Sequence, residues 1–65
     1  MTVDLHVVNS GSLVGLTPCT QTAKDWVRDN VTAEPWQWLG ITLYVEPRFA
    51  EHLIEALQAD GLTVA

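Results

Sequence analysis

The sequence predicts an α+β fold, with two helices packed on one face of a mixed sheet of three or four strands, in the order ββαβαβ. Three patterns predict it. Apolar residues recur at every second position near the start of the chain and again through its middle. Between and after these stretches lie two segments whose apolar residues recur at helical spacing. Short clusters of turn-forming residues separate the periodic segments.

The first strand is read in TVDLHVV, where Val3, Leu5 and Val7 point one way and Thr2, Asp4 and His6 the other. NSGS is a turn, and LVGLT a second strand that closes a hairpin. Pro18 stops that strand. Thr20 is placed to cap a helix over QTAKDWVRDNV. Ala23, Trp26, Val27 and Asn30 or Val31 fall on its apolar stripe, with Lys24, Asp25, Arg28 and Asp29 outside. This makes Trp26 a core anchor. Pro35 ends the segment, because the residue before a proline avoids helical geometry.

From Gln37 to Val45 the period returns to two, and the stretch reads as one continuous third strand. On that reading Gln37, Leu39, Ile41, Leu43 and Val45 share one face, and Trp36, Trp38, Gly40, Thr42 and Tyr44 the other. Pro47 suits the first turn of a second helix. In that helix Phe49, Leu53, Ala56 and Leu57 form the core stripe, Ala50 and Ile54 flank it, and Glu51, Glu55 and Gln58 lie outside. Gly61 closes the helix, and LTVA is a short last strand. A βαβ-like unit from the third to the last strand would have a right-handed crossover if its strands are parallel neighbours.

The aliphatic face of the third strand belongs under the helices. That leaves Trp36, Trp38 and Tyr44 on the uncovered face, with His6 and Thr2 joining from the first strand. Tryptophan and tyrosine on an open sheet face either shield it locally or serve as contact residues. Trp36, Trp38, Tyr44 and His6 are therefore the candidate partner-binding residues, for a second copy or for another protein.

The 65 residues form one domain, small enough that its stability margin is thin and oligomerisation is a common remedy. The chain is 48% hydrophobic and 17% charged, which argues against disorder. Eight acids against three bases give a net charge of −5, which repels phosphate and argues against nucleic-acid binding. The few bases also set this face apart from base-stacking RNA-binding sheets. An alternative use of the charge is to imitate phosphate against a nucleic-acid-binding protein, as its regulator or inhibitor. Cys19, the single cysteine, makes no intrachain disulfide and reads as a small half-buried residue. His6, Cys19 and His52 lie on different elements, so no metal site is expected. Glu51 and Glu55 share a solvated helix face rather than forming an acid/base pair. Glu46 and Arg48 flank Pro47 and are placed for a local ion pair. No nucleophile elbow, phosphate loop or dinucleotide fingerprint occurs, so neither catalysis nor a cofactor is expected. Neither a leader pattern nor a membrane-length apolar run is present, which predicts a cytoplasmic protein without membrane partners.

The segments LTPCTQTAKDWV, EPWQWLGITLYVEPRF and DGLTV together resemble a family of small uncharacterised bacterial and phage proteins. Trp26, Trp36, Gly40, Val45, Glu46, Arg48 and Gly61 are the most specific parts of the likeness. The resemblance implies a bacterial or phage setting and brings no activity with it. The functional expectation is a small, acidic, non-enzymatic interaction module.

Overall fold

Alternating apolar residues give β1 (Leu5–Ser10) and β2 (Leu13–Pro18), joined by a two-residue turn at Gly11 and Ser12 in the computed structural model, which describes residues 2–65. Helix α1 (Gln21–Asn30) follows, capped as expected by Thr20, whose hydroxyl accepts the Ala23 N–H at 3.2 Å. A 3₁₀ turn (Pro35–Gln37) leads into β3 (Trp38–Leu39), β4 (Thr42–Val45) and α2 (Pro47–Ala59), with Pro47 at the start of the helix. The sheet order is β1-β2-β4-β3, and every neighbouring pair is antiparallel.

The α+β class therefore stands, but two parts of the expectation are corrected. The order is ββαββα rather than ββαβαβ, and the sheet is antiparallel rather than mixed. Two features account for them: the residues after α2 add no strand beside the third, which removes the expected parallel pair, and the segment expected to be one continuous third strand reverses. It folds back at Gly40 and Ile41, pairing Leu39 with Thr42 and Trp38 with Leu43. Gly40 has φ +61, while among the described residues no non-glycine residue has positive φ, and a glycine at the first of two loop positions is the type II′ hairpin pattern. The last residues form no strand of the sheet. They make a single parallel bridge, Leu5 to Val64, on the outer edge of β1.

Cross-strand partners share a face of a sheet, so the register assigns the two faces. Leu5, Val7, Val14, Leu16, Leu43, Val45 and Trp38 lie on one side. Leu5, Val14, Leu16, Leu43 and Val45 are buried there in a single cluster with Val27 of α1 and Ala50, Leu53 and Leu57 of α2. Both helices thus cover the same face. Trp26, Val31, Ala33, Ile54, Leu62 and Val64 pack around this cluster half-buried.

The stripe of α2 is rotated from its expected position. Ala50, Leu53 and Leu57 are buried, whereas Phe49 and Ala56 are exposed. Ala50, at 2% exposure, meets the buried cluster where the larger Phe49 was expected, and Phe49 is 40% exposed. The helix ends in the expected glycine motif. Gly61 N–H donates to Gln58 O at 3.0 Å and Leu62 N–H to Leu57 O at 3.1 Å, the paired bonds of a Schellman cap.

Asp4 ties the chain's two ends to the start of α1. Its carboxylate accepts the Thr20 hydroxyl at 2.6 Å and the Thr63 N–H at 2.8 Å, while its carbonyl accepts the Cys19 N–H at 2.7 Å. Cys19 itself is exposed rather than half-buried. Arg28 pairs with Asp25 at 3.2 Å and Asp29 at 3.1 Å on the outer side of α1. Among the described residues Glu46 and Arg48 form no ion pair. Among the described residues no helix is long and apolar enough to cross a membrane.

Candidate functional site

The uncovered face of the sheet is built from the alternate residues of each strand. His6 and Val8 of β1 face the same way as Thr17 and Gly15 of β2, their cross-strand partners. Gly15 is paired in turn with Tyr44, and Thr42 with Leu39. Leu13, paired with Ser10, completes the row at one end. No carboxylate, ammonium or guanidinium belongs to this set, in a chain with eight acids and three bases. Charge depletion of this kind is characteristic of the centre of protein interfaces.

Two contacts fix the middle of the face. Thr17 and Thr42 share a hydroxyl–hydroxyl bond of 2.8 Å across the sheet. The Tyr44 ring lies over Gly15, whose lack of a side chain makes room for it. Gly15 is buried and Tyr44 half-buried as a result.

Trp36 stands at the end of this face, 78% exposed. It sits on the 3₁₀ turn begun by Pro35, and two bonds close that turn. Gln37 N–H donates to Glu34 O at 3.0 Å, and Glu34 N–H donates to the Gln37 side-chain oxygen at 2.8 Å. Trp36, Leu13 and Tyr44 line a depression of about 400 Å³ together with Gln37, Val45 and Glu46. The sequence thus holds its most exposed aromatic on a short, bonded turn rather than on a loose loop.

Of the four candidate residues, His6 and Tyr44 lie on the open face and Trp36 beside it. The placement of Trp38 is corrected. It packs half-buried against the core on the helix side, because the hairpin reverses which residues of the segment share a face. Leu39 takes the open-face position instead and is 71% exposed. Leu39, Leu13 and Val8 are the apolar members of the face that sequence reasoning did not assign to it. A hairpin reading of WLGITL would have found Leu39, and the β1–β2 register would have found Leu13 and Val8.

A second concavity, of about 460 Å³, lies between α1 and the β3–β4 turn. Val27, Val31, Trp38 and Ile41 supply its apolar walls, and Lys24 and Arg28 its polar edge. Arg28 is already engaged by two carboxylates, so this edge offers an anion little net charge. Among the described residues no cluster of histidine, cysteine and acidic side chains could hold a metal ion. Comparison of the chain with family models, with curated proteins and with solved structures finds no match.

Proposed function

We propose that this protein is a non-enzymatic interaction module that pairs with a second copy of itself through the open sheet face. The carrying observation is an exposed Trp36, fixed on a bonded turn beside Leu13 and Tyr44, at the end of a face to which no carboxylate, ammonium or guanidinium belongs. Large apolar side chains on a face of that kind favour removal from water, and tryptophan and tyrosine dominate the energetics of many interfaces. A second copy suits the face because two identical surfaces without acids, lysines or arginines bring no such like charges together at their centre. Pairing would also add buried apolar area to a domain of only 65 residues, where a single core supplies little surplus stability.

Light scattering across a range of concentrations tests the reading. The expected result is a dimer mass that falls to monomer on dilution, and a monomer at all concentrations for Trp36→Ser with unchanged circular dichroism. Trp36 is the proper probe because Trp38 contributes to the core. A wild-type protein that stays monomeric throughout would overturn self-association and leave the face to a different protein. The phosphate-imitating alternative predicts the opposite dependence, binding that weakens with salt and is indifferent to Trp36→Ser.

A further inference from the structure

The two edges of the sheet are managed differently. The β3 edge is two residues long. The β1 edge is longer and partly taken by the C-terminal segment. Leu5 N–H and Val7 N–H donate to Thr63 O and Ala65 O at 3.1 and 2.8 Å, and Ala65 N–H donates to Leu5 O at 3.0 Å. Outward-pointing residues alternate along an antiparallel strand, so Asn9 is the next in the row, and β1 continues past it to Ser10. Among the described residues, the carbonyl of Val7 and both main-chain groups of Asn9 are the outward-pointing groups of this edge beyond its last pairing.

A groove of about 260 Å³ runs beside this stretch, between β1 and α2. Its floor is apolar, from Val7, Val14, Ala50 and Ile54, and Glu51 and Glu55 stand on its helix side. Both glutamates are exposed, and among the described residues neither is ion-paired. Three properties therefore coincide: an extendable strand edge, an apolar slot and two uncompensated carboxylates.

We infer that this edge groove binds an extended basic peptide segment as an added strand. The segment's main chain would pair with Asn9, as the C-terminal residues already pair with Leu5 and Val7. One apolar side chain would enter the slot, and lysine or arginine two residues away, on the same side, would meet Glu51 and Glu55. Main-chain bonds supply affinity in this mode, and alternate side chains supply specificity. The net charge of −5 steers a cationic segment toward the site. This surface is separate from the open face, so the two assignments stand or fall independently.

The probe is a capped peptide in which threonines alternate with lysine, valine and lysine, titrated into the ¹⁵N-labelled protein. The expected result is saturable amide shifts centred on Val7, Asn9 and Ile54, weakening as salt is raised. Glu51→Gln with Glu55→Gln should weaken binding by about three- to tenfold, the range for two exposed ion pairs. These surface substitutions leave the buried cluster intact. The same peptide with glutamates for lysines should give no saturable shift. Shifts centred on Leu13, Trp36 and Tyr44, no saturable shifts at all, or equal binding by the glutamine variant would each overturn the assignment.

Discussion

The ring of Tyr44 rests on Gly15, with its Cε1 atom 3.1 Å from where a β-carbon on residue 15 would stand. The missing side chain at residue 15 is what lets the ring lie this close to the sheet. The same β-carbon would meet Thr42 Cγ2, also at 3.1 Å, and Thr42 is held by its bond to Thr17. The aromatic ring is the neighbour with room to give, since it faces outward.

Gly15→Ala should consequently destabilise the domain by about 1–2 kcal/mol, within the usual range for overpacking. In a domain of this size that is a fall in Tm of roughly 4–15 °C, read by thermal denaturation. An unchanged Tm would mean that Tyr44 does not cover Gly15 in solution. If the face is also a dimer contact, displacing the ring should weaken association alongside stability.

Gly40→Ala distinguishes the hairpin from a continuous strand. Nothing within 4 Å would obstruct the added methyl, but φ is +61. An L-residue there should cost about 1–2 kcal/mol of backbone strain. In a continuous strand alanine would be neutral or favourable at the same position. Urea denaturation of the variant should therefore show a lower midpoint with an unchanged slope.

Trp26 does more than fill the core margin. Its indole N–H donates to the Asp60 carboxylate at 2.6 Å, linking α1 to the C-terminal cap of α2. A carboxylate is poorly placed at the negative end of a helix dipole, and the indole donor offsets this. Trp26→Phe should cost about 1 kcal/mol, since one hydrogen bond to a partly solvated charge is lost. In a double-mutant cycle the hydrogen-bond part of the cost should vanish in an Asp60→Ala background, which has no side-chain acceptor; full additivity of the two changes would show that the bond contributes nothing.

The Asp4 carboxylate is held below its ordinary pKa of 3.8, first by the Thr20 hydroxyl and then by the Thr63 N–H. A depressed folded-state value means that the ionised form binds the fold more strongly. The resulting stabilisation is fully present above the ordinary value and is lost as the pH falls through the lowered one. Acid titration of stability should therefore show a downward limb starting near pH 4, shallower in Asp4→Asn. Thr20→Ala removes both the helix cap and the Asp4 contact. It should cost about 1 kcal/mol near neutral pH and also flatten the acid limb.

The hairpin of the first two strands, the Thr20 cap, Pro47 at the start of α2 and Gly61 at its end were all legible in the sequence. Each depends on local chemistry, a glycine-containing turn, a hydroxyl three residues from an orphan N–H or a glycine beyond the last turn. The middle segment was not legible, because WLGITLYV keeps alternating straight through its own turn. Leu39 and Ile41 carry the same period as Leu43 and Val45, and a single glycine was the only signal that the chain reverses. That one reversal moved Trp38 under the helices and Leu39 into the open, so one of the four candidate residues left the face.

The sequence by itself determined the α+β class, the two amphipathic helices, the caps and an acidic surface, because periodicity, propensity and charge act within a few residues of chain. Tertiary structure decided the sheet order, the antiparallel sense and the membership of the open face. It also decided that Ala50 rather than Phe49 faces the core. These depend on which strand edges meet and how closely a helix can approach a sheet. That geometry is set by contacts between distant residues, such as Leu16 with Leu43 and Gly15 with Tyr44, whose closure no local pattern records.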